Sequence, residues 1–526
     1  MPTARRIAHE FLERRGLTTI FGNPGSNELP FLAELPESFR YVLGLHEGVV
    51  VGMADGYAQA TGLPVLVNLH AAAGSGNAMG AVTNAVHSRS PLVLTAGQQV
   101  RSAIGLDAML ANVDAPQLMR PLVGWSGEPS CAEDVPRSLA QAVFEAELQR
   151  RPTYLSVPYD DWTAELGENA AATLDRAVRR GQAPDEEQLL TLTGALESAA
   201  NPVLVLGADL DAAGLFDRSV ALAEHLELPV WVAPSPHRLP FPNRHRLFRG
   251  VLPAGIGAVS DALAGHDLVL VLGAPVFRYH QHVPGRYLPE GAKLIQVTDD
   301  AGAAARAPVG QALVADPAPV IDALLARLPA RPSPGGPDYL PNPEPATAER
   351  ALHPEQVFAA LRDTHPADTC YVVESTSTNA AWWRQMDLRH PGSYFFPAAG
   401  GLGFGLPAAV GMAMGLPGRP VVGVIGDGSA NYGITALWTA AQYHVPVTFV
   451  VLRNGTYGAL RWFSGVLGTP DVPGMDIPGL DFTAIAQGYG VPAVAAGGLD
   501  ELRAQLKTST AGPRLIQVDT ELTSPE

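Results

Sequence analysis

Pro420-Val-Val-Gly-Val-Ile-Gly-Asp-Gly-Ser-Ala-Asn431 and Val445-Pro-Val-Thr-Phe-Val-Val-Leu-Arg-Asn-Gly-Thr-Tyr-Gly458 decide the fold class. Each opens as a short apolar, β-branched run bounded by turn formers, the pattern of a strand buried on both faces of a parallel sheet. Thr435, Leu437, Trp438 and Ala441, spaced for one face of a helix, lie between them. A strand-helix-strand unit puts both polar clusters at the carboxyl ends of neighbouring strands, where open α/β sheets bind ligands. Asp427 offers a carboxylate, Asn454 an amide oxygen and Thr456 a backbone carbonyl, a hard-oxygen set suited to Mg²⁺. Gly426, Gly428 and Ser429, with the helix after them, offer backbone N–H groups and a positive dipole end to a phosphate. Either cluster alone reads equally as an ordinary turn. The pair, one strand-helix-strand unit apart, is the more specific signal.

The rest of the chain repeats the alternation. Thr18-Thr-Ile-Phe21, Tyr41-Val-Leu-Gly-Leu45 and Pro64-Val-Leu-Val-Asn-Leu69 read as strands, and Ser26, Glu47 and His70 fall just past their carboxyl ends. Each has an unremarkable alternative: a turn serine, a glutamate at the start of a helix, a satisfied structural histidine. Asn201-Pro-Val-Leu-Val-Leu-Gly207 and His266-Asp-Leu-Val-Leu-Val-Leu-Gly273 are further buried strands, and Pro329 to about Pro345 reads as an extended linker. The expectation is an α/β chain of three doubly wound parallel-sheet domains, 1–180, 181–340 and 341–526. A length of 526 residues is too much for one core.

Composition narrows the function. Thirty-five Lys and Arg against 52 Asp and Glu give a net charge of −17, which argues against a nucleic-acid or anionic-membrane partner. Cys131 and Cys370 are too few for a disulfide framework, no apolar run approaches a membrane span, and the N-terminus lacks a secretory apolar core. A cytoplasmic, soluble protein is expected. No Walker A is available, because neither Lys293 nor Lys507 follows a glycine, and Val50 stands where a zincin motif after His46-Glu47 needs histidine. Gly74-x-Gly76-x-x-x-Gly80 is a weak dinucleotide fingerprint, and an NAD-binding oxidoreductase leaves Asp427 and Asn454 without a role.

Gly426-Asp427-Gly428 followed by Asn454 resembles the diphosphate-binding signature of thiamine diphosphate enzymes, with Arg453 in place of the first of its two closing asparagines. Asn23-Pro-Gly-Ser-Asn-Glu28 and Asn68-Leu-His-Ala-Ala-Ala-Gly74 resemble segments of the benzoylformate decarboxylases, and the likeness runs from end to end. It implies a pseudo-Rossmann middle domain between two cofactor-binding domains. It implies that Glu47 hydrogen-bonds N1′ of the aminopyrimidine, that Thr376, Gly400, Leu402, Gly426, Asp427, Gly428, Ser429 and Tyr457 contact the cofactor, and that Leu402 is the apolar wedge beneath it. Asp427, Asn454 and Thr456 would hold Mg²⁺, with Ca²⁺ as a substitute.

By the same likeness Ser26 binds the substrate carboxylate, and His70 and His280 are the candidates for proton transfer. Leu110, Phe396, Ala459, Leu460 and Phe463 line an apolar pocket suited to a phenyl ring. The implied activity is non-oxidative decarboxylation of an aromatic 2-keto acid, benzoylformate to benzaldehyde and CO₂. A decarboxylase or carboligase for another 2-keto acid is the nearest alternative, and a non-catalytic member of the fold is disfavoured by the presence of Glu47. The family's shared site implies a homodimer at least, and a tetramer by pairing of dimers. Pro397 and His282 depart from the familiar pattern.

Overall fold

The computed structural model describes residues 1–280, 283–508 and 511–524, the side chain of Glu168 excepted. His282 lies outside the described residues. Three six-stranded sheets, all parallel, follow one another along the chain, each flanked by helices. The first holds β1 (Thr19–Gly22), β2 (Arg40–Leu43), β3 (Val65–Leu69), β4 (Leu92–Gln98), β5 (Trp125–Gly127) and β6 (Thr153–Pro158), in the order 2-1-3-4-6-5. The second holds β7 (Pro202–Leu206), β8 (Val230–Val232), β9 (Phe248–Val251), β10 (Leu268–Leu272), β11 (Lys293–Thr298) and β12 (Gln311–Val314), in the order 12-11-10-7-8-9. The third holds β13 (Cys370–Glu374), β14 (Tyr394–Phe395), β15 (Val421–Gly426), β16 (Val447–Arg453), β17 (Ala493–Ala496) and β18 (Arg514–Asp519), in the order 14-13-15-16-18-17.

The strand order fixes where ligands can sit. In the first sheet the chain steps outward from β1 to β2 and then crosses to β3, so the loops after β1 and β3 part at a crevice; β13 and β15 repeat this in the third sheet. Of the strands that frame these crevices, β3 and β13 are wholly buried and β1 and β15 are buried but for one end residue each, as strands with helices on both faces must be.

The first and third domains pack through two helices, Glu47–Thr61 and Gly405–Gly415, both rich in Gly and Ala. A Cβ on Gly56 would fall 2.3 Å from the Ala408 carbonyl oxygen, and one on Gly411 1.9 Å from that of Met53. Only glycine permits this backbone-to-backbone approach, which ties the helix led by Glu47 to the one that follows the Leu402 turn. Between Leu328 and Pro354 there is no helix or strand, only isolated bridges from Tyr339 to His245 and from Leu352 to Thr520. No helix among the described residues is long and apolar enough to cross a membrane.

Candidate active site

Asp427 directly follows β15 and begins the short helix Asp427–Ala430. Its side chain is buried, and every bond it makes is to backbone: Oδ1 accepts from Gly428 N (2.8 Å), Oδ2 from Asn454 N (3.0 Å) and Gly455 N (2.7 Å). No cationic side chain pairs with it among the described residues. Burial pushes its pKa up, while the three N–H bonds and the field of Arg453 pull it down. A buried carboxylate left without a counter-charge fits a cation.

The partners that the sequence suggests stand beside it. Asn454 Oδ1 accepts from Thr456 N (3.0 Å), which fixes the amide in an Asx turn. The Thr456 hydroxyl is committed to Met475 O (2.8 Å) and Arg461 Nε (2.6 Å), whereas its carbonyl takes Gly458 N (3.0 Å) and keeps a second lone pair. The Tyr457 ring covers Gly428 so closely that a Cβ there would lie 2.6 Å from the ring. Ser429 is buried in the same turn. Arg453, the departure from the two-asparagine pattern, turns away and grips Asp519 with both ends of its guanidinium (2.7 and 2.6 Å).

Glu47 is the first residue of its helix, behind the N-cap His46, whose Nδ1 accepts from Gly48 N (3.1 Å). It is 7% exposed. Oε1 accepts from Asn23 Nδ2 (3.3 Å) and Oε2 from Asn77 Nδ2 (3.1 Å), again with no ion pair. Gly74 belongs to this site for steric reasons: its Cβ would come within 3.0 Å of Oε1.

His70 caps the helix Ala71–His87 and its Nδ1 lies 2.8 Å from Glu28 Oε2. Glu28 is the residue that reading the sequence missed. Its side chain is 1% exposed. It also accepts Gly25 N (2.9 Å), Gly97 N (2.7 Å) and Ala71 N (3.2 Å). With that carboxylate as acceptor, Nδ1 carries the proton and Nε2 is the ring nitrogen left for exchange. Gly25 rests on the imidazole, where a Cβ would sit 2.1 Å from Nδ1, and the neighbouring, exposed Ser26 donates to Asn27 Oδ1 (3.3 Å). The Asn-Pro-Gly-Ser-Asn-Glu run carries the only signal that could have found Glu28, since the pairing itself spans 42 residues.

The turn that bears Leu402 is clamped from two domains. Asn84 Nδ2 donates to Gly401 O (2.8 Å) and its Oδ1 accepts Ala399 N (3.1 Å). Glu374, fully buried, accepts Gly403 N (2.8 Å), Phe404 N (3.1 Å) and Gly405 N (2.8 Å). Burial drives its pKa up to about 7 against the downward pull of those three bonds. Gly400 holds φ +75, and its N–H donates to Pro397 O (3.0 Å). Pro397 is thus buried in the same turn. Thr376 opens a short 3-10 turn after β13.

His280 is exposed on the middle domain and packs edge-on to Phe463 of the third domain, ring centres 4.9 Å apart. Phe396 stacks on Tyr394, and Ala459 and Leu460 lie on the helix Gly458–Val466 beside Phe463. Leu110, with φ +67, is exposed together with Leu106, Met109 and Val113. No hydrogen bond or ring contact among the described residues joins Ser26 or His70 to His280 and Phe463, or Glu47 to Asp427.

Residues 2–118 match the N-terminal TPP binding domain of thiamine pyrophosphate enzymes, 190–324 their central domain and 375–518 their C-terminal TPP binding domain. The chain is 59% identical over 532 aligned residues to benzoylformate decarboxylase of Pseudomonas aeruginosa, covering 100% of both. The solved structure of a thiamine diphosphate-dependent 4-hydroxybenzoylformate decarboxylase from Rhodococcus jostii RHA1 is 56% identical, with TM-score 0.97 over 99% of each chain. That of benzoylformate decarboxylase from Polynucleobacter necessarius is 37% identical, with TM-score 0.96 over 100% of this chain and 99% of its own. Three matched domains, one full-length relative and a shared three-sheet fold place this chain among the thiamine pyrophosphate enzymes, in the benzoylformate decarboxylase family.

Proposed function

We propose that this protein is a carboxy-lyase that uses thiamine diphosphate to decarboxylate benzoylformate, or a ring-hydroxylated analogue, to the aldehyde and CO₂. The full-length 59% identity to a benzoylformate decarboxylase carries the reading. Asp427, Asn454 and the Thr456 carbonyl would hold Mg²⁺, or Ca²⁺ in its place, and Gly426, Gly428, Ser429 and Tyr457 the diphosphate. Glu47 would meet the aminopyrimidine, and Thr376, Gly400 and Leu402 would support the ring system. When bound, thiamine diphosphate supplies the nucleophilic carbon and the electron sink for the leaving carboxylate.

The chain's own residues supply the remainder. Ser26 offers a hydroxyl to the substrate carboxylate. His70, its Nδ1 tethered to Glu28, presents Nε2 as acid and base. His280 contributes a second proton carrier, and Phe463, Phe396, Ala459, Leu460 and Leu110 form the apolar wall that keeps water from the reacting carbon.

As the family resemblance implies, the complete site would join the first domain of one copy to the third of another, making a homodimer the smallest active unit. The exposed apolar run Leu106, Met109, Leu110 and Val113 supports such a covered face. A tetramer of dimer pairs extends the same logic, in a cytoplasmic enzyme divided functionally at about residues 180 and 340. The test is CO₂ release from benzoylformate, 4-hydroxybenzoylformate and pyruvate, each with and without thiamine diphosphate and Mg²⁺. Cofactor-dependent release confined to the aromatic acids is expected; release from pyruvate alone would overturn the substrate class.

A further inference from the structure

Leu402 stands in a stretch whose shape no regular structure dictates. Between Phe395, which ends β14, and Gly405, which opens the next helix, the chain forms neither helix nor strand. Gly400 (φ +75) and Gly403 (φ +97) carry the backbone through the left-handed region on either side of Leu402. Packing does not aim the side chain either. Among the described residues Phe404 and Leu406 join a hydrophobic core, whereas Leu402 joins none and stays half-buried. Its direction is therefore set by the two peptide units that flank its Cα.

Each of those peptides is held by one side chain. The carbonyl of the Gly401–Leu402 peptide accepts from Asn84 Nδ2 (2.8 Å), and the N–H of the Leu402–Gly403 peptide donates to Glu374 Oε1 (2.8 Å). Glu374 ends β13 in the same domain, so its hold follows from the third sheet. Asn84 comes from the first domain, 317 residues away along the chain. It is 3% exposed and its amide is used at both ends, since Oδ1 takes Ala399 N (3.1 Å). The one amide thus brackets the turn from Ala399 to Gly401.

That amide sits on a fixed support. Asn84 lies in the last turn of the helix Ala71–His87, and Asn77, about two turns earlier on the same face, donates to Glu47 Oε2 (3.1 Å). One rigid element carries both the contact to Glu47 and the bracket on the Leu402 turn. A mere tie between domains does not call for it. The first and third domains already meet through the close backbones at Gly56 and Gly411, and Leu43 is bonded through its N–H to Tyr443 Oη (2.9 Å) and through its carbonyl to Thr439 Oγ1 (3.0 Å).

We propose, on the reading of the cofactor site given above, that Asn84 is a positioning residue for the decarboxylation. Acting through the Gly401–Leu402 peptide, it sets where Leu402 meets the thiamine ring system. Misplacing a supporting group by about 1 Å costs on the order of a hundredfold in rate, so a bracket on this peptide bears directly on the chemistry.

The test is hydrogen–deuterium exchange at the nucleophilic carbon of bound thiamine diphosphate, in the holoenzyme without substrate, read beside the cofactor Kd and the melting temperature. Asn84→Ala is expected to slow exchange by about tenfold to a hundredfold while Kd changes little, because the turn of Asp427 and Asn454 is untouched. Leu402→Ala should slow exchange comparably, and the double variant no further, since the two residues act as a unit. Asn84→Gln keeps the amide but sets it one bond too far out, and it too is expected to slow exchange; should the alanine variant not fold, the glutamine variant decides. Exchange equal to the parent's in the Asn84 variants, additive losses in the double variant, or a lower melting temperature with exchange intact would each overturn the role of Asn84. A Leu402→Ala protein that exchanges as the parent does, or a parent that does not bind thiamine diphosphate, would overturn the reading of the cofactor site, and the role of Asn84 with it.

Discussion

Glu47 and Asp427 are both buried carboxylates without an ion pair, each opening a helix that follows a strand of a parallel sheet, yet they are held in different ways. Glu47 is held by two side-chain amides, Asn23 and Asn77, at 3.3 and 3.1 Å. Asp427 is held by three backbone N–H groups, of Gly428, Asn454 and Gly455, at 2.7 to 3.0 Å. Backbone donors sit where the loop puts them and favour the charged form, which suits a fixed anion under a cation. Side-chain amides donate as backbone N–H groups do, but they turn with their side chains, which suits a carboxylate that must also reach a ring nitrogen. The lesson is that two clusters in sister sheets, one after the edge strand β2 and one after the central strand β15, are held in ways that suit proton chemistry in the first case and binding in the second.

The sharpest way to break that contrast is Glu47→Gln, expected to lower kcat by about 10³-fold or more while circular dichroism and cofactor binding stay normal. Near-normal turnover would remove Glu47 from the chemistry. Asp427→Asn should do the opposite, raising the apparent cofactor Kd by about a hundredfold or more in Mg²⁺ titrations and leaving kcat at saturation less affected. A loss confined to kcat would contradict the binding role. Glu28→Gln keeps an acceptor for the local N–H groups but loosens His70, and kcat is expected to fall by about tenfold to a hundredfold with KM little changed. An effect on KM alone would mean that the pair serves packing and not proton transfer.

A further buried carboxylate, Glu374, sharpens the comparison through pH. Its folded value of about 7 lies above the ordinary 4.5, so the folded chain takes up a proton that the unfolded chain has released. Its contribution to stability is complete below that window and is lost as pH rises through about 7. Thermal melts at pH 5 and pH 8 should therefore show a larger fall for the parent than for Glu374→Gln, and parallel profiles would refute the assignment. The smallest effect is expected from Arg453→Asn. The Arg453–Asp519 pair is solvent-facing, with side chains 34% and 54% exposed, so unfolding titrations should register less than about 1 kcal/mol and activity should persist.

Local pattern made much of this legible. Pro420 to Ile425 and Val445 to Leu452 announced β15 and β16, and with them the crevice where Asp427 and Asn454 meet, because β-branched runs between turn formers have few other uses. Glu47 was legible for the same reason: a polar residue directly after a strand and before an apolar helix has its position set by the chain itself. Asn77, Asn84 and Glu374 were not legible, since an asparagine on a helix or a glutamate ending a strand looks the same whether it faces water or a catalytic group. The partner of Arg453 was hidden likewise, 66 residues away on the next strand of the sheet.

The sequence by itself determined the three sheets, the loop ends where chemistry gathers and the residue types suited to a metal, a diphosphate and a proton carrier, because all of these follow from contacts between near neighbours in the chain. Tertiary structure alone decided that Glu28 grips His70, that His280 of the middle domain meets Phe463 of the third, and that Asn84 of the first domain brackets the Leu402 turn of the third. Those pairings join residues 42 to 317 positions apart, and no local preference encodes which distant partner burial will select.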